Sequence, residues 1–325
     1  MLINLSEALE SWASEQIKNL GYEPRKQQPL NQLMTLSIRI LEPKPRTVCT
    51  SRELEATLPT LPQNYLEAYR LFRSCVERGT DLRPFMSKSI EDGKYLDGFL
   101  FDWGFYHFHL NSTPDSTDQR FIARSEYLLI ARVENEIMYF IQILPHCDHM
   151  IWYHEELMRI FADNWPDVAE RYRIKIVDGL SETVDEKKRK ELRDEIHANV
   201  PVDLGDGRVY IGKFMGINGS GTPLKAIVDA DAIRRDGERI QAAIDRNENA
   251  IVSLIQKKVA ISADDIELKL LRPGDNDYVF QVKDIPIIVR LILNETGTKI
   301  AVGDTEKQIE EYLAKNENGN GGSNQ

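Results

Sequence analysis

The sequence predicts an α+β fold: a helical N-terminal part on a small antiparallel sheet, followed by a second α+β unit. Three observations lead there. Apolar residues recur at helical spacing through most of the first 80 residues, two β-rich runs follow between Tyr127 and Leu144, and after Val209 a long helical pattern gives way to further strand-like runs.

The elements follow in order. A first helix begins near Leu2, with Leu5, Leu9, Trp12 and Ile17 near one face and Ser6 as its cap. A second apolar segment, Leu33 to Leu41, fits a helix or a strand and is broken by Pro43 and Pro45. Thr50 or Ser51 can cap a short stretch around Leu54. The spacing of Leu66, Tyr69, Phe72, Cys75 and Val76 predicts a helix over 64–78 closed by Gly79. From Tyr95 the chain reads as a strand, a polar loop at 111–119, a hairpin across Glu134-Asn135-Glu136, and a helix ended by Pro166. The charge-dense run 181–199, where acids interleave Lys187, Lys188, Arg189 and Lys190, reads as a solvated helix or connector. Beyond it come Val209-Tyr210-Ile211, a glycine loop, a helix over 231–256 and strands near 266–271, 278–282 and 287–293. The expected organisation is therefore a helical region 1–94, a histidine-rich sheet and helix 95–180, an α+β unit 200–315, and a disordered Asn/Gly/Ser-rich tail 316–325.

Composition bounds the function classes. A 42% hydrophobic and 29% charged chain is of ordinary globular type. No apolar run approaches the roughly 20 residues that span a bilayer, and the N-terminus has acids and amides where a secretory signal carries a basic start. Three widely spaced cysteines, Cys49, Cys75 and Cys147, argue against a disulfide framework and for a reducing compartment. The expectation is a cytoplasmic protein with no membrane partner. A net charge of −11 disfavours indiscriminate nucleic-acid binding but leaves room for a local cationic site.

The concentrated chemistry is histidine. Of six histidines, His107, His109, His146, His149 and His154 fall within one short stretch. His107 and His109 lie two apart in a strand, so both project from one face together with Phe105, while Tyr106, Phe108 and Leu110 supply the core on the other. His146 follows the second hairpin strand, where it can approach the pair; His149 and His154 are less directed. Arg124 precedes the first hairpin strand, Arg120 lies in the loop before it, and Asp97 and Asp102 flank the aromatic run, where Asp102 can orient a histidine or cap a turn. Two imidazoles and an arginine suffice to cleave a phosphodiester without metal: one group takes the 2′-hydroxyl proton, one protonates the leaving oxygen, and the cation stabilises phosphate charge. The plainer alternative makes these ordinary polar residues of a sheet.

A zinc reading competes. His107, His109, His146 and His149 supply nitrogens, with Asp102 or Asp148 as an oxygen ligand, although the spacing matches no tight metal signature. The loop Gly216-Ile217-Asn218-Gly219-Ser220-Gly221 could cradle an anion, but it lacks the Lys-Ser/Thr ending of a P-loop and reads more simply as a strand-to-helix turn.

Two resemblances add to this reading. Asp81 to Lys88, followed by Asp97-Gly98-Phe99-Leu100-Phe101-Asp102-Trp103-Gly104-Phe105-Tyr106-His107-Phe108-His109-Leu110, resembles a group of uncharacterised bacterial proteins sharing an Asp-Trp-Gly…His-x-His-Leu core, over roughly residues 45–230. It implies no particular activity. Residues 104–150, with a strand, a loop, an arginine-led strand, a hairpin and a terminal histidine, are similar to the sheet of RelE/ParE-like toxins. Ribonucleases of that fold cut RNA without metal through His, Arg, Lys and Tyr side chains, which by position implies His107, His109, Arg124 and His146 as the site.

The expectation is thus a metal-independent ribonuclease of toxin or phage-defence type. It has no cofactor or metal, acts on RNA, and has scope for a protein antitoxin or regulator and for self-association. His107 or His109 is base or acid, His146 its partner, and Arg124 the phosphate cation. A non-enzymatic interaction or regulatory protein and a zinc hydrolase are the alternatives.

Overall fold

Capping and breaking residues set the boundaries of the first elements. In the computed structural model, which describes residues 2–311 apart from Asp178, Thr183, 197–199, Asp206 and Thr296, Asn4 rather than Ser6 caps α1 (Leu5–Asn19) by accepting from the Glu7 N–H. The tail 316–325 lies outside the described residues. The apolar segment left open above is a helix, α2 (Pro29–Arg39), and β1 (Thr47–Thr50) interrupts the stretch expected to be mainly helical. Ser51 caps α3 (Arg52–Thr57) through the Leu54 N–H. α4 (Gln63–Arg78) ends at Gly79, whose φ of 74° and approach to Pro45 exclude a side chain: an added Cβ would lie 2.3 Å from the Pro45 nitrogen.

The stretch from Tyr95 expected to be a strand includes a helical turn, α5 (Gly98–Trp103), capped by Asp97 and closed by Gly104. β2 (Tyr106–His109), β3 (Tyr127–Glu134) and β4 (Ile137–Pro145) follow. Asn135, at φ 51°, fills the left-handed position that this glycine-free hairpin needs. Then come α6 (Glu156–Asn164), α7 (Pro166–Ala169), α8 (Glu186–Ile196), β5 (Val202–Asp203) and β6 (Val209–Tyr210). The predicted single helix over 231–256 starts earlier and breaks at Asn247, giving α9 (Leu224–Arg246) and α10 (Glu248–Gln256). β7 (Leu268–Arg272), β8 (Asp277–Val282) and β9 (Ile288–Asn294) match the expected strands. β10 (Gly297–Gly303), whose Thr298 and Lys299 mask its pattern, was not anticipated.

Two compact units result, residues 34–227 and residues 1–33 with 228–325, the division falling within α2 and α9. They cut across the blocks expected from the sequence. Leu5 and Leu9 of the N-terminal helix pack with Leu268, Leu270 and Tyr278, so the first residues belong with the last strands. β6, at the Val209-Tyr210-Ile211 run expected to open the C-terminal block, falls with β5 in the 34–227 unit.

In the 34–227 unit, the sheet order is β1-β4-β3-β2, with β1 parallel to β4 and the rest antiparallel. Both faces are covered. Phe108, Leu129, Ala131 and Phe140 pack under α4, where the Phe72 ring lies 4.6 Å from Phe108. Phe105, Leu128, Ile130 and Ile141 pack with Phe161 of α6 on the other face. Each buried ring or branched side chain stabilises by roughly 1.5–3 kcal/mol relative to exposure. Into the second layer is set a buried charge network. Arg132, fully buried, bonds Glu134 at 2.8 Å and lies 4.0 Å from the Tyr172 ring centre, while Lys213 reaches Glu134 at 3.2 Å.

The other unit is a plain antiparallel meander, ordered β10-β9-β8-β7, with α1, α9 and α10 supplying residues to one apolar cluster. Among the described residues no helix is long and apolar enough to cross a membrane.

Candidate functional site

β2 is an edge strand, and the layer on its histidine face ends where the imidazoles begin. His107 pairs with Ile130 and His109 with Leu128, so both occupy the face of Phe105, as the two-residue spacing predicts. Phe108 and Leu110 are fully buried on the other side. The imidazoles line a cavity of about 890 Å³ together with Arg124, His146, His149 and Trp152. All four residues expected to form the site therefore meet in one place.

His109 is the most buried of them, 8% exposed. Its Nδ1 accepts the Ser125 N–H at 3.5 Å, which leaves the proton of the neutral ring on Nε2. Ser125 is itself fixed: its hydroxyl accepts from the Leu110 N–H at 3.0 Å and donates to the Tyr127 carbonyl. Burial, reinforced by His107, His146 and Arg124, pushes the His109 pKa down to about 4, so the ring is neutral near pH 7.

His146 stands just past the end of β4, its N–H held by the Glu126 carbonyl at 2.7 Å, and its ring centre is 5.5 Å from that of His109. The Arg124 guanidinium lies 3.2 Å from His146 Nε2 and 3.5 Å from Nδ1. An arginine only donates, so the nitrogen that it meets carries a free lone pair. Burial first, then Arg124, His107 and His149, lower the His146 pKa as well.

The cations lining the cavity are not equivalent. Lys88 is held by Asp115 at 2.7 Å and by Thr117 at 2.9 Å, contacts that keep the Asp115 carboxyl well below its usual range. Arg193 pairs with Asp102 and donates to the Gly98 carbonyl at 2.9 Å. Arg124 has no carboxylate partner among the described residues; its polar contact is His146. His107 lies beside them, its ring centre 5.0 Å from Trp152 and its Nδ1 buried without a hydrogen-bond partner.

Several expectations need correcting. Asp102, expected to orient a histidine or cap a turn, is paired with Arg193. Arg120 is tied outside the site to Asp118 and Glu91. The run 181–199 is more than a solvated connector: Arg189 is buried, bonds Glu155 at 2.6 Å and lies over the Trp103 ring, because one face of α8 is docked by charge. His154 is clamped at 2.7 Å by Asp148 on one nitrogen and at 2.7 Å by Glu186 on the other, and these carboxylates outweigh burial to raise its pKa. That contact also occupies Asp148. No group of three or more His, Cys, Asp or Glu among the described residues is arranged to hold a metal, so the zinc reading has no ligand set there. In the glycine loop the Asn218 side chain accepts from the Ser220 and Thr222 N–H groups and Gly216 donates to the Phe101 carbonyl, so these donors are spent within the protein and the loop is a turn into α9, the simpler of the two readings.

Lys88, Trp152 and Arg193 escaped the sequence reading. Trp152 had a local signal, an aromatic two residues before His154; Lys88 and Arg193 come from distant segments and had none. In comparisons with known proteins, no family model, no curated protein and no solved structure matches this chain.

Proposed function

We propose that the cavity cleaves RNA by metal-independent acid–base chemistry, in a cytoplasmic protein of toxin or phage-defence type. The observation that carries this reading is the carboxylate-free Arg124 beside the lone pair of His146, within one ring contact of His109. A phosphate is a stronger acceptor for a guanidinium than an imidazole is, and takes it bidentately. When Arg124 turns to the phosphate, the His146 lone pair is freed to act as base.

The step then balances. His146 takes the 2′-hydroxyl proton, the 2′-oxygen bonds to phosphorus, the bond from phosphorus to the 5′-oxygen breaks, and His107, as the general acid, gives a proton to that oxygen. His109, neutral and carrying its proton on Nε2, donates a hydrogen bond to a non-bridging oxygen. The products are a 2′,3′-cyclic phosphate and a 5′-hydroxyl. The test is a short single-stranded RNA beside versions with one 2′-deoxy residue at each position. Cleavage with a cyclic phosphate end, abolished by the deoxy residue at the cut and by His146→Asn, is the expected result. Cleavage that survives the deoxy substitution, or no cleavage at all, overturns the proposal and leaves a binding protein as the better account.

A further inference from the structure

The cavity has two chemically different ends. His109, His146 and Arg124 form the polar one. At the other, His107 meets Trp152 edge to face at 66°, and Trp152 meets Phe99 at 5.3 Å and 69°. The Trp152 backbone is pinned, since its carbonyl accepts the Trp103 indole N–H at 3.0 Å and the adjacent Ile151 is fully buried. Trp152 is nevertheless only partly buried, and it lines the cavity with Tyr95 and Tyr153. Burial, aided by Asp97 near Tyr95 and Asp194 near Tyr153, pushes both phenols up, so each remains a neutral hydrogen-bonding group. An indole fixed by its backbone, backed by Phe99 and open to a polar cavity is a platform for a planar ring.

We propose that this end is a nucleobase subsite, in which one unpaired base stacks on Trp152 while its phosphate lies at Arg124 and His146. The proposal rests on the phosphate reading of the same cavity. His107 and His109 are successive residues of one strand face, about 7 Å apart along the strand, so the aromatic and anion-binding ends lie side by side. A cavity of about 890 Å³ is of the size that encloses a small ligand. A base stacked in a duplex cannot reach its wall, which makes a free nucleotide or an unpaired strand the class of ligand.

The test is binding of inorganic phosphate, ribose 5-phosphate, uridine and guanosine 5′-monophosphates, and an oligonucleotide made uncleavable by 2′-deoxy residues, all to the full chain. Nucleotides should bind about tenfold more tightly than ribose 5-phosphate, as expected for one stacked base. Trp152→Leu should abolish that preference and Trp152→Phe should keep part of it, with phosphate binding as the check that each variant is folded. Tighter binding of the oligonucleotide than of the mononucleotides identifies a strand as the ligand, and equal binding identifies the free nucleotide. Equal affinity for ribose 5-phosphate and nucleotide, or a preference that survives Trp152→Leu, overturns the subsite. A nucleotide preference without RNA cleavage would refute the cleavage reading while leaving the subsite standing. Cleavage without a base preference would do the reverse.

Discussion

The two four-stranded sheets differ in what their faces are for. In β7–β10 the alternation is clear along β7, where Leu268 and Leu270 are buried while Lys269 between them is exposed, and the Arg290–Asp277 pair keeps some contact with solvent. In β1–β4 both faces are covered, so charge either enters the interior with a partner, as Arg132 does with Glu134, or emerges at the edge strand, as the histidines do. A sheet buried on both sides can therefore present polar chemistry only where its cover ends, and β2 is that place.

The sharpest way to break this comparison is through the two ion pairs. Burial pushes the Glu134 carboxyl up, but Arg132 and Lys213 outweigh it and hold it low. Glu134→Ala leaves Arg132 charged and uncompensated in the interior, and should cost about 3–5 kcal/mol in chemical denaturation. Asp277→Ala, in the bidentate and partly exposed pair of the other sheet, should cost less, about 1–2 kcal/mol. Similar losses at both sites would contradict the contrast.

Next in size is the pH dependence carried by His109. An unfolded histidine takes up its proton near the ordinary value of about 6.5, whereas the folded ring does so only near 4. Acid thus favours the unfolded chain in that window, and stability should fall by about 3 kcal/mol as pH drops from 6.5 to 4. His109→Gln should flatten that part of the profile; an unchanged slope would contradict it.

His154 has the opposite sign. Its raised pKa supplies stability that is complete below the ordinary histidine value and lost as pH rises through the raised one. At this partly exposed site the effect should be about 1 kcal/mol, read as a loss in His154→Gln at pH 6 that disappears at pH 9. A loss of equal size at both values would mean that the clamp acts through shape and not charge.

How much of this was legible follows the same divide. The meander showed its strands through short apolar, β-branched runs, except β10, where polar residues occupy the edge. In the two-sided sheet, the period of two placed His107 and His109 on one face, and the end of the hairpin suggested His146. What could not be read was closure. Lys88 and Arg193 reach the cavity from segments more than ten residues from any histidine of β2, and Asp102 is paired with Arg193 on a helix whose sequence reads as solvated. Spacing reports on the face of an element; it does not report which distant charge will answer it.

The most direct test of the central claim is incubation of purified protein with total RNA, with and without a strong chelator, beside His146→Asn and Arg124→Gln. Cleavage that resists the chelator and is lost in both variants is the result predicted. Cleavage abolished by the chelator, or untouched in either variant, would contradict it.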